Sequence, residues 1–302
     1  MNKDTSHICV CICTFKRPDM LCRLFQELEN QKTCKEFTYS IVVVDNDKAM
    51  SAKNIVATFQ GKSKLLVEYY VESEQNIALA RNKAILNSKG DFIAFIDDDE
   101  LPERDWLLNL NNAQRKFQAD GILGPVKPRF EMNPPAWILK GKLLERKSFK
   151  SGMILRNYRD TRTGNALLSK KIFDGEETPF DPSYGRTGGE DTDFFKRMIE
   201  RGSIIIWCDE ACVHEVVPSD RLKRRYLLKR ALLRGVVAAR RDTFSIYRTM
   251  NSFLAFLLYT LFLPFSLLVG QHVFMKYLVK TCDHIGKLLA ICGVDVIKER
   301  TF

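Results

Sequence analysis

The chain has 302 residues, 45% of them hydrophobic and 28% charged, with a formal charge of +10. Those values belong to a folded protein with room for one large α/β domain plus an appendage, and they exclude a disordered chain or a small disulfide scaffold. Nine cysteines with no CxxC pair and no zinc-ligand spacing fit a reducing compartment. The first residues, Met1 to His7, lack the apolar core of a signal peptide, so the catalytic part is expected in the cytoplasm. The first strand is expected over Ile8 to Cys13, where Cys9, Cys11 and Cys13 share a face as small buried hydrophobes. It ends in Thr14-Phe15-Lys16-Arg17-Pro18, and Pro18 with Asp19 opens a helix carrying Met20, Leu21, Leu24, Phe25 and Leu28 at helical spacing. A second strand, Tyr39 to Val44, runs into Asp45-Asn46-Asp47, and a third, Leu65 to Val71, precedes Asn76 and a helix from Ile77 to Leu86. The fourth, Phe92 to Ile96, stops at Asp97, Asp98 and Asp99.

Strands alternating with helices across short turns are the pattern of a parallel sheet with right-handed crossovers. Each polar cluster falls at a strand's C-terminal end, where such a sheet gathers its ligand crevice. Three adjacent carboxylates there repel one another unless a cation or a donor-rich ligand sits among them; the alternative is a solvated acidic turn. Asp45 is placed to accept from a base or a ribose, or else to cap the next helix. Arg81 is placed to fork onto a phosphate, or else to lock a neighbouring carboxylate. No GxGxxG follows the first strand and no GxxxxGK[ST] occurs, which argues against a dinucleotide-binding domain and a P-loop NTPase. Phosphate is then expected to be handled by a divalent metal, Mn²⁺ or Mg²⁺, on the aspartate cluster.

Thr14-Phe15-Lys16-Arg17-Pro18, the Asp45-Asn46-Asp47 strand end, Ala80-Arg81-Asn82 and Asp97-Asp98-Asp99 together resemble the family 2 glycosyltransferases of the GT-A fold, in the family's order and over about residues 6–240. The resemblance implies an α/β fold with a mostly parallel central sheet. It also implies donor binding by Thr14, Phe15, Arg17, Asp45, Asn76, Arg81, Asp97 and Asp98, with Asp45 on a uracil base. The middle and last aspartates of the triplet would serve ribose and metal, and the implied metal set is Asp99, Asp97 and His214. One departure is Asn76, where the family usually has Gly; Asn tolerates a left-handed backbone next best.

In the second half, Gly121 to Val126 is expected as a strand. Asn133-Pro134-Pro135-Ala136-Trp137 is expected as a loop, with Trp137 either stacked on an acceptor sugar or anchored in the core. Thr163-Gly164-Asn165 resembles the family's segment beneath the donor sugar, which makes Asn165 a candidate for hydroxyl recognition. Gly188 and Gly189 suit close backbone approach ahead of Glu190, Asp191 and a helix from Phe194 to Arg201. The two carboxylates fit helix capping. By resemblance, Asp191 is the general base and Glu190 a catalytic-site residue that holds the acceptor. His214 follows a short strand, Ile204 to Trp207, and matches a position that supplies a metal or diphosphate contact in related enzymes.

Beyond Pro218 the composition changes. Arg221, Lys223, Arg224, Arg225, Lys229, Arg230, Arg234, Arg240 and Arg241 interleave with apolar residues, and Met250 to Met275 carries no charged residue. Pro264 argues for a kink or a re-entrant dip within residues 252–270, and Val273 to Cys292 reads as an amphipathic interfacial helix. No nucleic-acid-reading module accompanies the basic block, so attachment to a membrane is expected rather than nucleic acid.

The expected organisation is a catalytic domain over 1–218 and a membrane-associated helical region over 219–302. The expected activity is inverting transfer of a single sugar from a nucleotide sugar, UDP-linked, to a glycan or lipid-linked saccharide in cell-surface polysaccharide biosynthesis. The expected place is the cytoplasmic face of the plasma (inner) membrane. Single transfer is favoured because the Gln-x-x-Arg-Trp motif of processive synthases is absent. The rivals are a sugar-phosphate nucleotidyltransferase, which would release pyrophosphate, and a non-catalytic membrane scaffold of the same fold.

Overall fold

A computed structural model describes residues 5–241 and 245–294. The leader reading at the first four residues and the tail of the expected C-terminal region, 295–302, lie outside them. The chain divides into two compact units, one of Met1–Lys127, Arg146–Arg186 and Glu190–Glu215, the other of Pro128–Glu145, Thr187–Gly189 and Val216–Phe302.

The first unit is built on β1 (Ser6–Thr14), β2 (Phe37–Asp45), β3 (Val67–Val71), β4 (Phe92–Phe95), β5 (Glu100–Pro102), β6 (Gly121–Leu123), β7 (Val126–Phe130, which runs into the second unit), β8 (Ala166–Ser169), β9 (Ile205–Trp207) and the start of β10 (Val213–Val217). Its helices are α1 (Pro18–Glu29), α2 (Lys53–Gln60), α3 (Ile77–Asn87), α4 (Trp106–Phe117) and α6 (Glu190–Glu200). Seven strands form one sheet in the order β3-β2-β1-β4-β8-β6-β9. β1 to β4 are mutually parallel, β8 runs antiparallel to β4 and β6, and β9 is parallel to β6. β5 pairs antiparallel with β10, His214 opposite Leu101 and Glu215 opposite Glu100.

The period of two along β1 supplies both faces of the sheet. Ile8, Val10 and Ile12 join a core with Leu21, Leu24, Phe25 and Leu28 of α1, Val56 of α2 and Trp106, Leu107 and Leu110 of α4. Cys9 and Cys11 join the opposite core with Ala78, Ala80 and Ala84 of α3 and Phe194, Phe195 and Met198 of α6, and the part-buried Cys13 packs on it. Leu21, Leu24 and Leu28 are completely buried, each contributing about 1.5–3 kcal/mol. Helices α2 and α4 add to the elements expected from sequence. In α2 the single buried residue, Val56, gives almost no periodicity to read.

The strand expected over Gly121 to Val126 is two strands. Pro125 has no N–H to continue a ladder, and a Cβ at Gly124 would stand 2.2 Å from the Ala211 carbonyl oxygen. Gly124 therefore breaks the strand where the chain passes close to another backbone.

The second unit contains α5 (Ala136–Gly141), α7 (Arg224–Arg241), α8 (Ile246–Val269) and α9 (Gln271–Ile291). The two prolines do not suppress structure: Pro135 sits at the N-cap of α5, where its lack of an N–H costs nothing. Trp137 therefore lies on a helix rather than in a loop. It packs with Ile138, Val217 and Leu222, and the Arg224 guanidinium lies 5.8 Å from its ring centre. Helix α8 is long and apolar enough to cross a membrane by length and composition, and Phe253, Leu257, Leu261, Phe265 and Leu268 are exposed on it. Pro264 lies inside the helix, which runs on to Val269 without a break.

Helices α7 and α9 approach so closely that each needs a glycine at the crossing. A Cβ on Gly235 would stand 2.0 Å from the Asp283 carbonyl oxygen, and one on Gly286 would stand 2.1 Å from that of Leu232. Arg234 reinforces the crossing with a 2.8 Å ion pair to Asp283. At Gly61, which ends α2, the nearest atom to a new Cβ is 3.6 Å away, an ordinary contact. Gly235→Ala is therefore expected to lower the thermal unfolding midpoint by several degrees, whereas Gly61→Ala should leave it unchanged or raise it, in keeping with a stabilisation of up to about 1 kcal/mol. Equal midpoints for the two variants in the same detergent would contradict the crossing.

Candidate active site

Parallel pairing brings the ends of β1, β2 and β3 level, with Thr14 opposite Asp45 and Asp45 opposite Val71. β4 lies on the other side of β1 and, after Ile96, delivers the aspartate triplet. Thr14 Oγ1 donates to Asp98 Oδ2 at 2.8 Å. Arg17 Nη1 reaches both Asp98 Oδ1 at 3.1 Å and Asp99 Oδ2 at 3.2 Å. Phe15 lies between these two residues in the chain, half-buried, with Lys16 Nζ 5.0 Å from its ring centre. Burial pushes the Asp98 carboxyl up to about 6, against the opposing effect of Arg17.

The triplet is thus not uniform. Asp98 is internal, and Asp99 is buried beneath Arg17. The Asp97 side chain is 46% exposed and meets Arg81 Nη2 at 3.6 Å. Behind Asp97 lies Glu100, fully buried, which accepts from the Asp97 N–H at 3.1 Å through Oε2. Its Oε1 has no hydrogen-bond partner among the described residues. Burial, with the charge of Asp97 adding to it, drives the Glu100 carboxyl far above its ordinary range. Asp97 and Asp99 are hard oxygen donors of the kind that Mg²⁺ and Mn²⁺ take, and an uncompensated carboxylate oxygen beside them fits a cationic partner.

Asp45 is completely buried at the end of β2. Its Oδ1 accepts from the Asp47 N–H at 3.1 Å, and Oδ2 accepts from the Ala52 N–H at 2.7 Å and the Tyr69 hydroxyl at 2.9 Å. The carboxylate braces the β2–α2 loop.

Arg81 sits on α3, buried, with its Nη1 on Glu190 Oε1 and its guanidinium 5.7 Å from the centre of the Phe180 ring. Glu190 and Asp191 open α6, where carboxylates oppose the helix dipole favourably. Asp191 accepts from Thr192 through Oδ1, from the N–H at 2.7 Å and from the hydroxyl at 3.2 Å. Glu190 is buried, and its Oε1 is placed to hold Arg81. Gly188 and Gly189 have φ of +85° and +107°, a conformation that explains both glycines.

Three expectations need correction. Asn76 is not left-handed: with φ −157° and ψ 109° it is the extended N-cap of α3, and its Oδ1 accepts from the Ala78 and Leu79 N–H groups. Its Nδ2 donates to the Pro182 carbonyl, so the side chain is spent on the fold. Asn165, completely buried with φ +63°, donates to the Pro125 and Ala211 carbonyls and accepts from the Trp106 indole N–H at 2.7 Å. It fastens β8 to its neighbours and has no atom left for a sugar hydroxyl. His214 is not gathered with Asp97 and Asp99. Its Nε2 lies 3.1 Å from Glu103 Oε1 and 3.9 Å from Cys212 Sγ, and the strand pairing of β10 puts it level with Leu101. Those three side chains are the one group of potential ligands found within 4.8 Å of one another among the described residues. Burial pushes the Cys212 thiol up to about 11, which keeps it protonated when no metal is bound.

Sequence reasoning missed Arg146 and Arg162. Arg146 lies in a stretch without helical or strand periodicity, and pairs with Glu215. Arg162 directly precedes the Thr163-Gly164-Asn165 segment, and that proximity was the available signal.

The chain matches the description "Glycosyl transferase family 2" over residues 9–175. It is 34% identical to the succinoglycan biosynthesis protein ExoM of Rhizobium meliloti (strain 1021) over 238 residues, 78% of this chain and 75% of that protein. With a poly(ribitol-phosphate) beta-glucosyltransferase of Bacillus spizizenii it shares 28% identity over 166 residues, 50% of this chain and 26% of the relative. The crystal structure of S. aureus TarS 1–349 in complex with UDP-GlcNAc has a TM-score of 0.56 at 15% identity, covering 97% of this chain and 95% of that one, a likeness of fold. With a match across more than half its length and a relative above 30% identity over most of it, the chain belongs to glycosyltransferase family 2.

Proposed function

We propose that this glycosyltransferase moves one sugar from a UDP-linked donor to a hydroxyl of a glycan or lipid-linked saccharide, with inversion, in the assembly of a cell-surface polysaccharide. The observation that carries the reading is the arrangement of Asp97 and Asp191, a part-exposed carboxylate after β4 and another at the start of α6, both acting electrostatically on Arg81. The names of the ExoM relative and of the ribitol-phosphate glucosyltransferase support a polysaccharide acceptor, and the UDP and UDP-GlcNAc complexes of TarS support the donor.

In this reading the acceptor hydroxyl attacks the anomeric carbon as its proton passes to Asp191, whose Oδ1 is held by Thr192. The bond from that carbon to the diphosphate breaks, and its electron pair leaves on the diphosphate oxygen. Glu190 neutralises Arg81 and fixes it beside Asp97, keeping the two catalytic edges in register. Thr14, Phe15 and Arg17 form the donor-side wall, with Asp98 oriented by Thr14 and Arg17. A divalent cation, held by Asp97 and Asp99, would supply charge neutralisation for the departing diphosphate. Trp137, on the second unit, is left to the core of that unit rather than to the acceptor.

Membrane association is inferred from α8 together with the basic α7. Twenty-four residues of helix extend about 36 Å, enough to cross a hydrocarbon core. The cytoplasmic face follows the positive-inside preference of α7. After alkaline carbonate extraction the full chain should remain with the membrane pellet; recovery in the wash would exclude insertion.

The purified protein, given a panel of nucleotide sugars with an acceptor extract, should release UDP from one of them, with release abolished by a chelator and restored by Mn²⁺. Asp191→Asn should lower turnover about 10²-fold or more while UDP affinity stays within about twofold. Wild-type turnover in that variant would remove Asp191 from the chemistry, and pyrophosphate in place of UDP would point to nucleotidyl transfer. A separate expectation concerns the ion pair. Glu190→Gln should destabilise the fold by about 3 kcal/mol in denaturant titrations, because it leaves the buried Arg81 charge with only the part-exposed Asp97 as its ion-pair partner; the double variant Glu190→Leu, Arg81→Met should recover part of that loss. A double variant as unstable as the sum of its single changes would mean that the two residues do not act as a pair.

A further inference from the structure

Resting on the transfer reaction proposed above, we propose that Arg162 binds the diphosphate of the nucleotide donor. Arg17, Arg81 and Arg146 are already engaged, with Asp98 and Asp99, with Glu190 and Asp97, and with Glu215 respectively. Arg162 has no carboxylate within ion-pair distance and no hydrogen bond among the described residues. It is nevertheless partly withdrawn from water and faces Arg146, Glu100, Asp191 and Glu215 electrostatically. Burial, followed by the like charge of Arg146, lowers its pKa to about 10, so the guanidinium is held where a cation is disfavoured. A positive group in such a place is completed by an anion, and the planar fork of arginine matches two phosphate oxygens.

The backbone that carries Arg162 is fixed independently of any ligand. Thr161 and Thr163 flank it, both buried, and Thr163 Oγ1 has no hydrogen-bond partner among the described residues. A Cβ at Gly164 would lie 2.7 Å from Glu100 Oε1 and 3.1 Å from Asp97 Oδ2, so the segment is pressed against the acidic end of β4. Asn165 then anchors it through three side-chain hydrogen bonds. Two buried polar atoms without partners, Thr163 Oγ1 and Glu100 Oε1, thus stand around the turn that carries Arg162. Water or a polar ligand must serve them. When the sugar departs, the charge that develops on the diphosphate oxygen is of the sign that Arg162 stabilises.

The test is calorimetric titration of UDP and of uridine, in excess Mg²⁺, into the full-length wild-type protein and into Arg162→Gln and Arg162→Lys. Arg162→Gln should weaken UDP binding about tenfold or more and leave uridine within about twofold, while Arg162→Lys recovers part of the loss because the charge remains without the fork. Matching circular dichroism melts separate this from unfolding, and if Arg162→Gln does not fold, the Lys variant carries the comparison with an intermediate loss of UDP affinity. Wild-type UDP affinity in the folded Gln variant, or in the Lys variant where that one alone folds, would overturn the role of Arg162 and leave the transfer reaction standing. Absence of UDP binding to the wild type itself would overturn the donor reading and this inference with it.

Discussion

Arg81 reaches from α3 to Glu190 at the start of α6 and to Asp97 at the end of β4. One guanidinium therefore joins three elements that the sheet alone leaves independent, and it does so where burial makes both charges costly to leave alone. The pair sets position: α3 packs on β1 and β2, α6 packs on the same face, and the bridge sets the first turn of α6 against the acidic strand end. The alanines of α3 make that closeness possible, since Ala78, Ala80 and Ala84 give the helix a flat surface against the sheet. A larger residue there would push Arg81 away from both of its partners.

The parts of the fold that were legible in the sequence are those governed by local repetition. The apolar runs of β1, β2 and β4 are filled from both faces, so continuous hydrophobicity marks them, and abrupt polarity marks where they end. The leucines of α1 recur at helical spacing and are all inside. Legibility failed wherever a polar residue was recruited inward. Asn165 and Asn76 have the composition of ligand-binding residues, but their hydrogen-bonding capacity is consumed by backbone groups that come together only through long-range folding. Nothing in a sequence distinguishes an amide that faces a sugar from one that faces Pro125 and Ala211.

His214 failed for a related reason. Its place on β10 fixes its neighbours, and Cys212, the residue just before that strand, lies close to it. Glu103 joins them from just past β5, the antiparallel partner of β10. The family resemblance locates the histidine along the chain but not the strand register, and the register decides its neighbours.

Charge balance accounts for the rest of the site. Asp97, Asp98, Asp99, Glu100, Glu190, Asp191 and Glu215 face Arg17, Arg81, Arg146 and Arg162, so carboxylates outnumber guanidiniums. The excess is reduced but not removed by the raised pKa values of Asp98 and Glu100, which take up protons more readily than ordinary carboxyls. An acidic excess attracts a divalent cation and repels a diphosphate, which on its own would make this a poor place for a nucleotide. The conflict is resolved spatially: three arginines are neutralised by bonds within the protein, and the remaining one, Arg162, keeps its charge on the rigid turn before β8. On the proposed reading a metal–diphosphate pair would satisfy both the acidic excess and the guanidinium, whereas free phosphate lacking a cation would meet only the guanidinium.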